Sequence, residues 1–364
     1  MARVIRSVVI GFVLFFALDG LLFRSSLYWT WVMPDSSIGM IRRSIQSITD
    51  AEQIAGRKIV LVVGDSRVGE GFSFLQANAR AEELHSPTRY AGAGVPGLNI
   101  KPMYYFMRYI DPEATRFSAI VVMVGSLAAG RWGGRPNCDR ELSYVHPLVT
   151  PADFFDLIDG CTADGSVERT LRALLSAGSN YRADLHAFAL NPAARIKMAS
   201  DWNRLGAQFS RGYPGRDQTL DGLTLDPSTG ALTIPAKVAA PEAAALRTYV
   251  RRLRKPFTAP AGSRQYIMSW LERMVERYAA TGTPVILAQV PRGPLHAAMS
   301  KDEEVDPFLA ELQRRGKITI LSASLLRELE QPHFFFDQLH VNKYGREVMS
   351  EKLATGLAGL DFVH

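Results

Sequence analysis

The sequence contains little cysteine and offers no obvious set of metal ligands. Only two of its 364 residues are cysteines, which is too few for the disulfide framework typical of small secreted domains. No cluster of histidines accompanies them, so we predict neither a zinc site nor any other metal or cofactor. A chain of this length can bury a full hydrophobic core without such crosslinks.

The two cysteines, Cys138 and Cys161, lie in one loop-rich region. Paired in an oxidising compartment, they would close a loop of about twenty residues and stabilise the fold by about 3 kcal/mol. The alternative is a pair of buried free thiols. We predict the disulfide, because the N-terminal segment independently indicates export.

The sequence also lacks internal repeats and low-complexity segments. Its hydrophobic (47%) and charged (21%) fractions are those of a globular protein and argue against general disorder. The net charge is +6, but no basic stripe interleaved with aromatic residues is visible, so we predict no nucleic-acid partner. A basic face that meets anionic lipid or an acidic polysaccharide fits better.

Only one apolar run is long enough to cross a membrane. Residues 7–23 follow Arg3 and Arg6 and, at about 1.5 Å per residue, nearly cross a hydrocarbon core of about 30 Å. Aromatic residues that could form an interfacial belt come next, namely Tyr28, Trp29 and Trp31. We therefore predict a membrane anchor over residues 1–31 that contacts the bilayer through residues 7–23.

The alternative for this segment is a cleaved signal peptide, but no clear small-x-small cleavage site follows the run. The positive amino end predicts a cytoplasmic N-terminus, with the rest of the chain in the periplasm or outside, on a single-pass inner-membrane protein. Arg24, Arg42 and Arg43 on the other flank oppose this orientation. Asp19 lies within the run, and we expect it either near the outer interface or facing a polar feature of a membrane partner.

Beyond a connector over residues 32–56, the pattern is that of a parallel α/β domain over residues 57–364. Predicted strands at 59–63, 88–91, 117–124, 284–290 and 318–321, most of them apolar and β-branched, alternate with helical segments. A region rich in Gly, Pro and Asp turns interrupts the alternation at about 130–262, and within it residues 222–234 predict a β-hairpin. The simplest organisation is one domain that carries a large insertion.

Three polar residues combine into a candidate catalytic site. Ser66 follows the first buried strand in the tripeptide Gly64-Asp65-Ser66, at the sheet edge where α/β proteins place their chemistry. Serine at such a turn is more often a helix cap, and a catalytic serine needs a base and a group that orients the base. Asp337 and His340, three residues apart before the last helix, suit those two roles.

Two motifs in this order resemble those of the SGNH/GDSL hydrolase superfamily. The first is Gly64-Asp65-Ser66, and the second is Asp337-Gln338-Leu339-His340-Val341-Asn342-Lys343-Tyr344-Gly345. The resemblance covers residues 57–128 and 264–357. It implies a flavodoxin-like three-layer α/β/α sheet, with Ser66 as nucleophile, His340 as base and Asp337 as its partner.

The resemblance also implies an oxyanion hole, for which three donors are needed. The Ser66 amide and the amide of Gly97, with Gly94 as a competitor, match two of them. The third departs from the family, because Leu127 stands where an asparagine is expected and has no side-chain donor. We expect Ser126 or Asn99 to replace it, since loss of one donor costs about 2.7–4 kcal/mol of transition-state stabilisation.

The anchor, the insertion and the altered third motif resemble the anchored SGNH-like proteins that accompany membrane-bound O-acyltransferases, such as the alginate O-acetylation and teichoic acid D-alanyl-transfer proteins. This implies an integral membrane partner and a polysaccharide acceptor. Trp132 and Trp202 of the insertion could stack on sugar rings or lie in the core. Arg67 could form a structural ion pair or bind an anionic acceptor. An esterase or deacetylase with the same triad, and a non-catalytic assembly module, are the alternative functions.

Overall fold

The structure is a computed structural model of the chain. It describes residues 1–25, 27–56, 58–128, 138–159, 166–201, 213–255, 262–299 and 304–360. Trp132, Cys161 and Trp202 lie outside these ranges, and of Cys138 only the backbone is described. The predictions of sugar-stacking tryptophans and of a disulfide therefore fall outside the described residues.

The centre of the fold is a parallel sheet, and the predicted runs form its strands. The strands are β1 (Val60–Gly64), β2 (Tyr90–Gly94), β3 (Ala119–Val124), β4 (Thr224–Leu225), β5 (Leu232–Thr233), β6 (Val285–Gln289) and β7 (Thr319–Ile320). Five of them pair in the order β2-β1-β3-β6-β7, all parallel. In the central register Val62 lies between Gly92 and Val121. The mixed α/β class with a parallel central sheet is thus confirmed.

The helices, in chain order, are α1 (Ala2–Asp19), α2 (Ser37–Ala55), α3 (Ser66–Gly71), α4 (Phe74–Glu83), α5 (Ile100–Ile110), α6 (Cys138–Val145), α7 (Phe154–Ile158), α8 (Ser166–Leu175), α9 (Ala177–Asn180), α10 (Arg182–Leu190), α11 (192–201), α12 (Ala240–Leu253), α13 (Ser263–Ala279), α14 (Pro294–Met299), α15 (Pro307–Arg314) and α16 (Lys343–Ala358). A π-helical turn, Gly20–Arg24, extends α1, and 3₁₀ turns occur at Leu27–Thr30, Pro151–Asp153, Arg327–Leu329 and Pro332–Phe334. In the sheet layers, α4 packs with α16, and α5 packs with α13.

The strand order reverses beside β1. The chain places β2 on one side of β1 and then β3, β6 and β7 on the other, so the reversal lies between β1 and β3. Connections that run in opposite directions across a sheet lie on opposite faces, because such crossovers are right-handed. This leaves a crevice at the carboxyl ends of β1 and β3, where doubly wound sheets bind their ligands.

The segment predicted as a connector, residues 32–56, contributes a helix to the sheet's own core. Helix α2 begins at the Ser36 cap, whose hydroxyl accepts from Gly39 N, and ends at Gly56 in the left-handed conformation. Its side chains Ile41 and Ile48 are fully buried, and the helix packs against β2 at the edge of the sheet. The N-terminal helix is therefore followed by packed structure and not by a free linker.

The N-terminal helix has the length and composition of a membrane span. From Arg3 to Arg24 it has 22 residues, which at about 1.5 Å each exceeds the roughly 30 Å hydrocarbon core. Almost all of its apolar side chains are exposed. It is the one such helix in the described ranges.

Asp19 connects the end of this helix to the insertion. Its carboxylate is 4% exposed and accepts hydrogen bonds from the amides of Ala177 (3.0 Å) and Gly178 (2.7 Å). Arg24 lies 3.4 Å away on the same carboxylate. Asp19 thus meets a polar partner within its own chain, where a negative charge at the first amides of α9 is favourable.

The aromatic residues that follow the N-terminal helix pack in the same region. Tyr28 and Trp29 are buried, and the Trp29 indole donates to the Tyr181 hydroxyl at 2.9 Å. Phe23 stacks on Tyr181 at a centroid distance of 5.2 Å. The expectation of an interfacial belt is therefore wrong for Tyr28 and Trp29, because the insertion covers them, whereas Trp31 is partly exposed.

The second half of the insertion packs against the C-terminal motif. Strands β4 and β5 form the predicted antiparallel hairpin, with Leu225 paired to Leu232. Next to it, a separate apolar cluster joins the insertion to the segment that carries Asp337 and His340. Its buried members are Leu220, Leu223, Leu246, Val250, Leu295, Phe335 and Val341.

Candidate active site

Ser66 is the first residue of α3, directly beyond the carboxyl end of β1. Asp65 caps this helix, and its Oδ1 accepts from the Arg67 amide at 2.9 Å. Gly64 is required here, because a Cβ would lie 2.4 Å from Val68 Cγ2. The tight turn from strand to helix places the serine hydroxyl in the crevice.

Asp337 and His340 are arranged by a turn that Asp337 itself stabilises. The Asp337 Oδ1 accepts from the amides of Leu339 and His340, both at 2.7 Å. Asn342 then caps α16, with its Oδ1 accepting from Tyr344 and Gly345. Local hydrogen bonds therefore determine how the aspartate and the histidine face each other.

The three predicted side chains form one hydrogen-bonded chain. His340 Nδ1 lies 2.8 Å from Asp337 Oδ2, and His340 Nε2 lies 2.8 Å from Ser66 Oγ. Burial alone would raise the pKa of Asp337, but the hydrogen bonds from the His340 ring and from two backbone amides outweigh it and lower that pKa. An ionised Asp337 keeps the Nδ1 proton, which leaves Nε2 free to accept the serine proton.

An aromatic ring supports the imidazole. Phe336 stacks on His340 with an interplanar angle of 11° and a centroid distance of 5.6 Å. The Arg216 guanidinium lies over the Phe336 ring, 5.1 Å from its centroid. The stack restricts rotation of the imidazole away from Ser66.

Arg67 forms an ion pair with Asp65, which was one of the two roles left open. Its Nη2 lies 2.7 Å from Asp65 Oδ2, and its Nε also contacts this carboxylate. The guanidinium crosses to the end of β3, where a Cβ on Gly125 would lie 2.9 Å from both Nη atoms. Arg67 therefore spans the crevice between β1 and β3.

Tyr249 of α12 brings the insertion to this crevice. Burial raises the pKa of Tyr249, and the charges that act on it are those of Arg67 and Asp337. Tyr249 is also packed against the apolar cluster that joins the insertion to the C-terminal motif. This part of the insertion therefore lies close enough to Arg67 and Asp337 for their charges to act on the Tyr249 hydroxyl.

Two of the expected oxyanion donors are the backbone amides of Ser66 and Gly97. The Ser66 amide is at the first position of α3, where no carbonyl one turn earlier can accept it. Gly97 has φ +75° in a turn closed by Leu98 N to Val95 O, 3.0 Å. The Tyr144 hydroxyl donates to Pro96 O and holds this turn against the insertion. Gly94 instead allows α3 to approach closely, because a Cβ at this position would lie 2.0 Å from Gly69 N.

The residues considered for the third donor have the following partners. Leu127 is buried and its amide donates to Gln289 Oε1 at 3.0 Å. Asn99 caps α5 and its Nδ2 donates to Glu141 at 3.1 Å, so its amide is used away from Ser66. Ser126 accepts from Ala128 N at 3.0 Å. Of the two replacements expected for the asparagine, Asn99 already has another partner, because α6 brings Glu141 to it.

A cavity of about 290 Å³ opens beside Ser66. It runs between α3, the glycine-containing end of β2 and α2, and it combines apolar with charged lining. The side chains of interest are Phe72, Glu70, Arg43, Arg216 and Arg346. Within the described ranges, no group of three or more potential metal ligands is found.

The sequence reasoning missed Phe336, Arg216 and Tyr249. Phe336 directly precedes Asp337, and its position in the motif is a signal that could have identified it. Arg216 and Tyr249 reach the site from the insertion, and no local pattern marks them.

The fold and the site together define a parallel α/β protein with a hydrogen-bonded Ser-His-Asp arrangement at the carboxyl edge of its sheet. A comparison with models of known protein families gives no match to this chain. A comparison with curated proteins gives no match either.

Proposed function

We propose that this chain is a membrane-anchored serine O-acyltransferase of the SGNH type, with a flavodoxin-like three-layer fold. The observation that carries the proposal is the chain of two 2.8 Å contacts from Ser66 through His340 to Asp337. The parallel sheet, the edge position of Ser66 and the sequence motifs support it.

In the first half-reaction, Ser66 Oγ attacks the acyl carbonyl carbon while His340 Nε2 takes the hydroxyl proton. The carbonyl π electrons move onto oxygen, and the amides of Ser66 and Gly97 would stabilise that charge. The guanidinium of Arg67, which extends from α3 to the end of β3, would supply the third donor, in the role that the resemblance gives to the asparagine of the third motif. Collapse of the intermediate breaks the bond to the donor, whose leaving group takes the proton from His340.

In the second half-reaction, an acceptor hydroxyl gives its proton to His340 and attacks the acyl carbon. A new ester forms, the bond to Ser66 Oγ breaks, and the serine recovers the proton from His340. The acyl group, acetyl in the simplest case, is thus moved to a hydroxyl of a cell-envelope or exported polysaccharide. Water as acceptor would give an esterase instead, because transfer requires that water is kept away from the acyl-enzyme.

The proposed location follows from the anchor. We place the helix from Arg3 to Arg24 in the inner membrane and the α/β domain in the periplasm, where an integral membrane-bound O-acyltransferase would pass the acyl group to Ser66. The contacts of Asp19 with α9 hold the domain at a defined position relative to the anchor. A fixed position suits acyl transfer from a membrane partner better than a flexible tether.

The test is mass spectrometry of the full chain in detergent after brief exposure to p-nitrophenyl acetate. We expect one added acetyl group, on the peptide that contains Ser66, and none in Ser66→Ala. The matched control is Ser322→Ala, an exposed serine after β7, which should acetylate as the wild type does. Equal labelling of the wild type and Ser66→Ala would refute the assignment of Ser66 as the nucleophile. If acetate is released rapidly, and added glycan acceptor does not reduce that release, the protein is an esterase instead.

A further inference from the structure

The position of Asp19 along the N-terminal helix indicates the depth that this residue has in a bilayer. Arg6 is the last charged residue before the apolar run, and Asp19 follows it thirteen positions later. At about 1.5 Å per residue this separation is about 20 Å, whereas the hydrocarbon core is about 30 Å thick. Counted from Arg3 the separation is about 24 Å. With either arginine at the inner boundary of the core, Asp19 lies below the outer boundary.

The insertion is held at the same depth, because it supplies the partners of the Asp19 carboxylate. The amides of Ala177 and Gly178 donate to this carboxylate, and the Ser176 hydroxyl lies 3.3 Å from its Oδ1. Gly178 packs directly on the N-terminal helix, since a Cβ there would lie 2.7 Å from the Phe23 ring. In a bilayer, the corner between α8 and α9 would therefore lie at the depth of the outer leaflet.

The side of α8 that faces away from the protein carries a row of apolar side chains. Val167, Leu171 and Leu175 follow one another at intervals of four residues, so they lie on one face of the helix. Each of them is between 41% and 55% exposed, whereas Thr170 and Leu174 on the other face are buried. An aligned row of exposed apolar side chains is typical of a surface that contacts a membrane or another protein.

Charged side chains border this row. Glu168 and Arg172 form an ion pair at 2.5 Å, and both are largely exposed. At the end of α8, Arg24 donates to Leu174 O at 2.5 Å while it contacts Asp19. Helix α8 thus has the pattern of helices that lie in a membrane interface, where apolar side chains enter the acyl region and charged ones stay among the headgroups.

We propose that the row formed by Val167, Leu171 and Leu175 lies against the acyl chains of the outer leaflet, so that the insertion itself contacts the bilayer. Lipid is favoured over a protein partner, because the row lies at the depth of the exposed apolar side of the N-terminal helix. The inference rests on the membrane location proposed above and is independent of the acyl chemistry. Two contacts with the bilayer would fix the tilt of the α/β domain as well as its distance from the membrane.

The test is photocrosslinking of the full chain in vesicles of phosphatidylethanolamine and phosphatidylglycerol. The vesicles also contain a phosphatidylcholine with an aryl diazirine on its acyl chain, which light converts to a carbene that inserts into neighbouring side chains. Trypsin releases residues 7–24 and residues 173–182 as separate peptides, because each is bounded by arginines. Mass spectrometry should find lipid adducts on both peptides.

The internal control is Leu75 on α4, which is exposed to a similar degree, 43%. Helix α4 lies in the layer of the sheet opposite to α5, the helix on which α6 of the insertion packs. The tryptic peptide 68–80, which contains Leu75, should therefore carry no lipid adduct.

Variants of the row locate the contact. Leu171→Gln combined with Leu175→Gln should lower the yield of adducts on residues 173–182 by about fivefold or more, because an amide without partners is expelled from hydrocarbon. Leu171→Met combined with Leu175→Met should preserve the adducts. The matched control Leu75→Gln should leave labelling as in the wild type. The thermal unfolding midpoint in detergent should not change in any of them, because the three leucines are exposed.

Labelling of residues 7–24 without labelling of residues 173–182 would overturn the inference and leave the row for a protein partner. Equal labelling of residues 68–80 would also overturn it, by showing that the probe reacts with any exposed apolar side chain. Absence of adducts on residues 7–24 as well would overturn the proposed membrane location. The acyl chemistry fails separately, by absence of an acetyl group on Ser66, and lipid adducts on residues 173–182 would then still establish the bilayer contact.

Discussion

Replacing Asp337 by asparagine tests the proposed role of each carboxylate oxygen. The amide oxygen of the new side chain could still accept from the amides of Leu339 and His340, which now lie at 2.7 Å from Oδ1, so the turn should persist. The position of Asp337 Oδ2, which now lies 2.8 Å from His340 Nδ1 and accepts from it, would carry the NH₂ group of the asparagine. Two donors cannot share this contact, so the imidazole should shift its proton to Nε2.

With the proton on Nε2, His340 cannot accept the proton of Ser66. Changing the tautomer in a Ser-His-Asp site lowers the rate by about four orders of magnitude, and we expect Asp337→Asn to slow acetylation of Ser66 by a comparable factor. The rate is measured by the burst of p-nitrophenolate from p-nitrophenyl acetate. Denaturant unfolding should show a stability close to that of the wild type.

Asp337→Ala provides the comparison, because it removes both functions of the side chain. The amides of Leu339 and His340 would lose their acceptor, which costs about 1–3 kcal/mol where the group stays buried. The reasoning is refuted if Asp337→Asn acetylates within tenfold of the wild-type rate, or if it is destabilised as much as Asp337→Ala.

Three further predictions concern the surroundings of the site. Gly125→Ala places a methyl group 2.9 Å from both Arg67 Nη atoms. It should slow acetylation of Ser66 by about tenfold or more and change the unfolding free energy by less than about 1 kcal/mol. An unchanged burst of p-nitrophenolate would argue against a role for Arg67. Asp19→Asn should increase hydrogen exchange at Ala177, because the charge on the first amides of α9 is lost; unchanged exchange would contradict a docked anchor. Burial lowers the pKa of His146 from 6.5 to about 4. As the pH falls from 6.5 towards 4, the unfolded chain therefore binds a proton that the folded chain does not, and the free energy of unfolding should fall by up to about 3 kcal/mol. His146→Leu should flatten this part of the plot of unfolding free energy against pH.

Much of the fold followed from local pattern. Continuous β-branched runs such as residues 59–63 predict buried parallel strands, because both faces of such strands are covered by helices. The hairpin over residues 222–234 was also predicted, since its turn residues and alternation are local signals. The proximity of Asp337 and His340 was also predictable from local pattern, because a single turn of the chain brings the two side chains together.

Other features depended on contacts between distant parts of the chain. Asn99 looked available as an oxyanion donor until α6 supplied Glu141 as its partner. Tyr28 and Trp29 had the composition of a membrane belt, and the insertion buries them. A side chain's own type indicates which interactions it can make, but its partner is chosen by elements that approach from elsewhere.

The order of residues alone was enough to predict the parallel α/β class, the apolar N-terminal helix and the choice of Ser66, Asp337 and His340 as the residues to examine. The contact of His340 Nε2 with Ser66 Oγ, across 274 positions of chain, came from the packing of the whole domain. So did the path of Arg67 to β3 and the three arginines that share a cavity with Ser66. The physical reason is that apolar periodicity encodes which face of an element is buried, whereas distances between polar groups arise from how those elements pack.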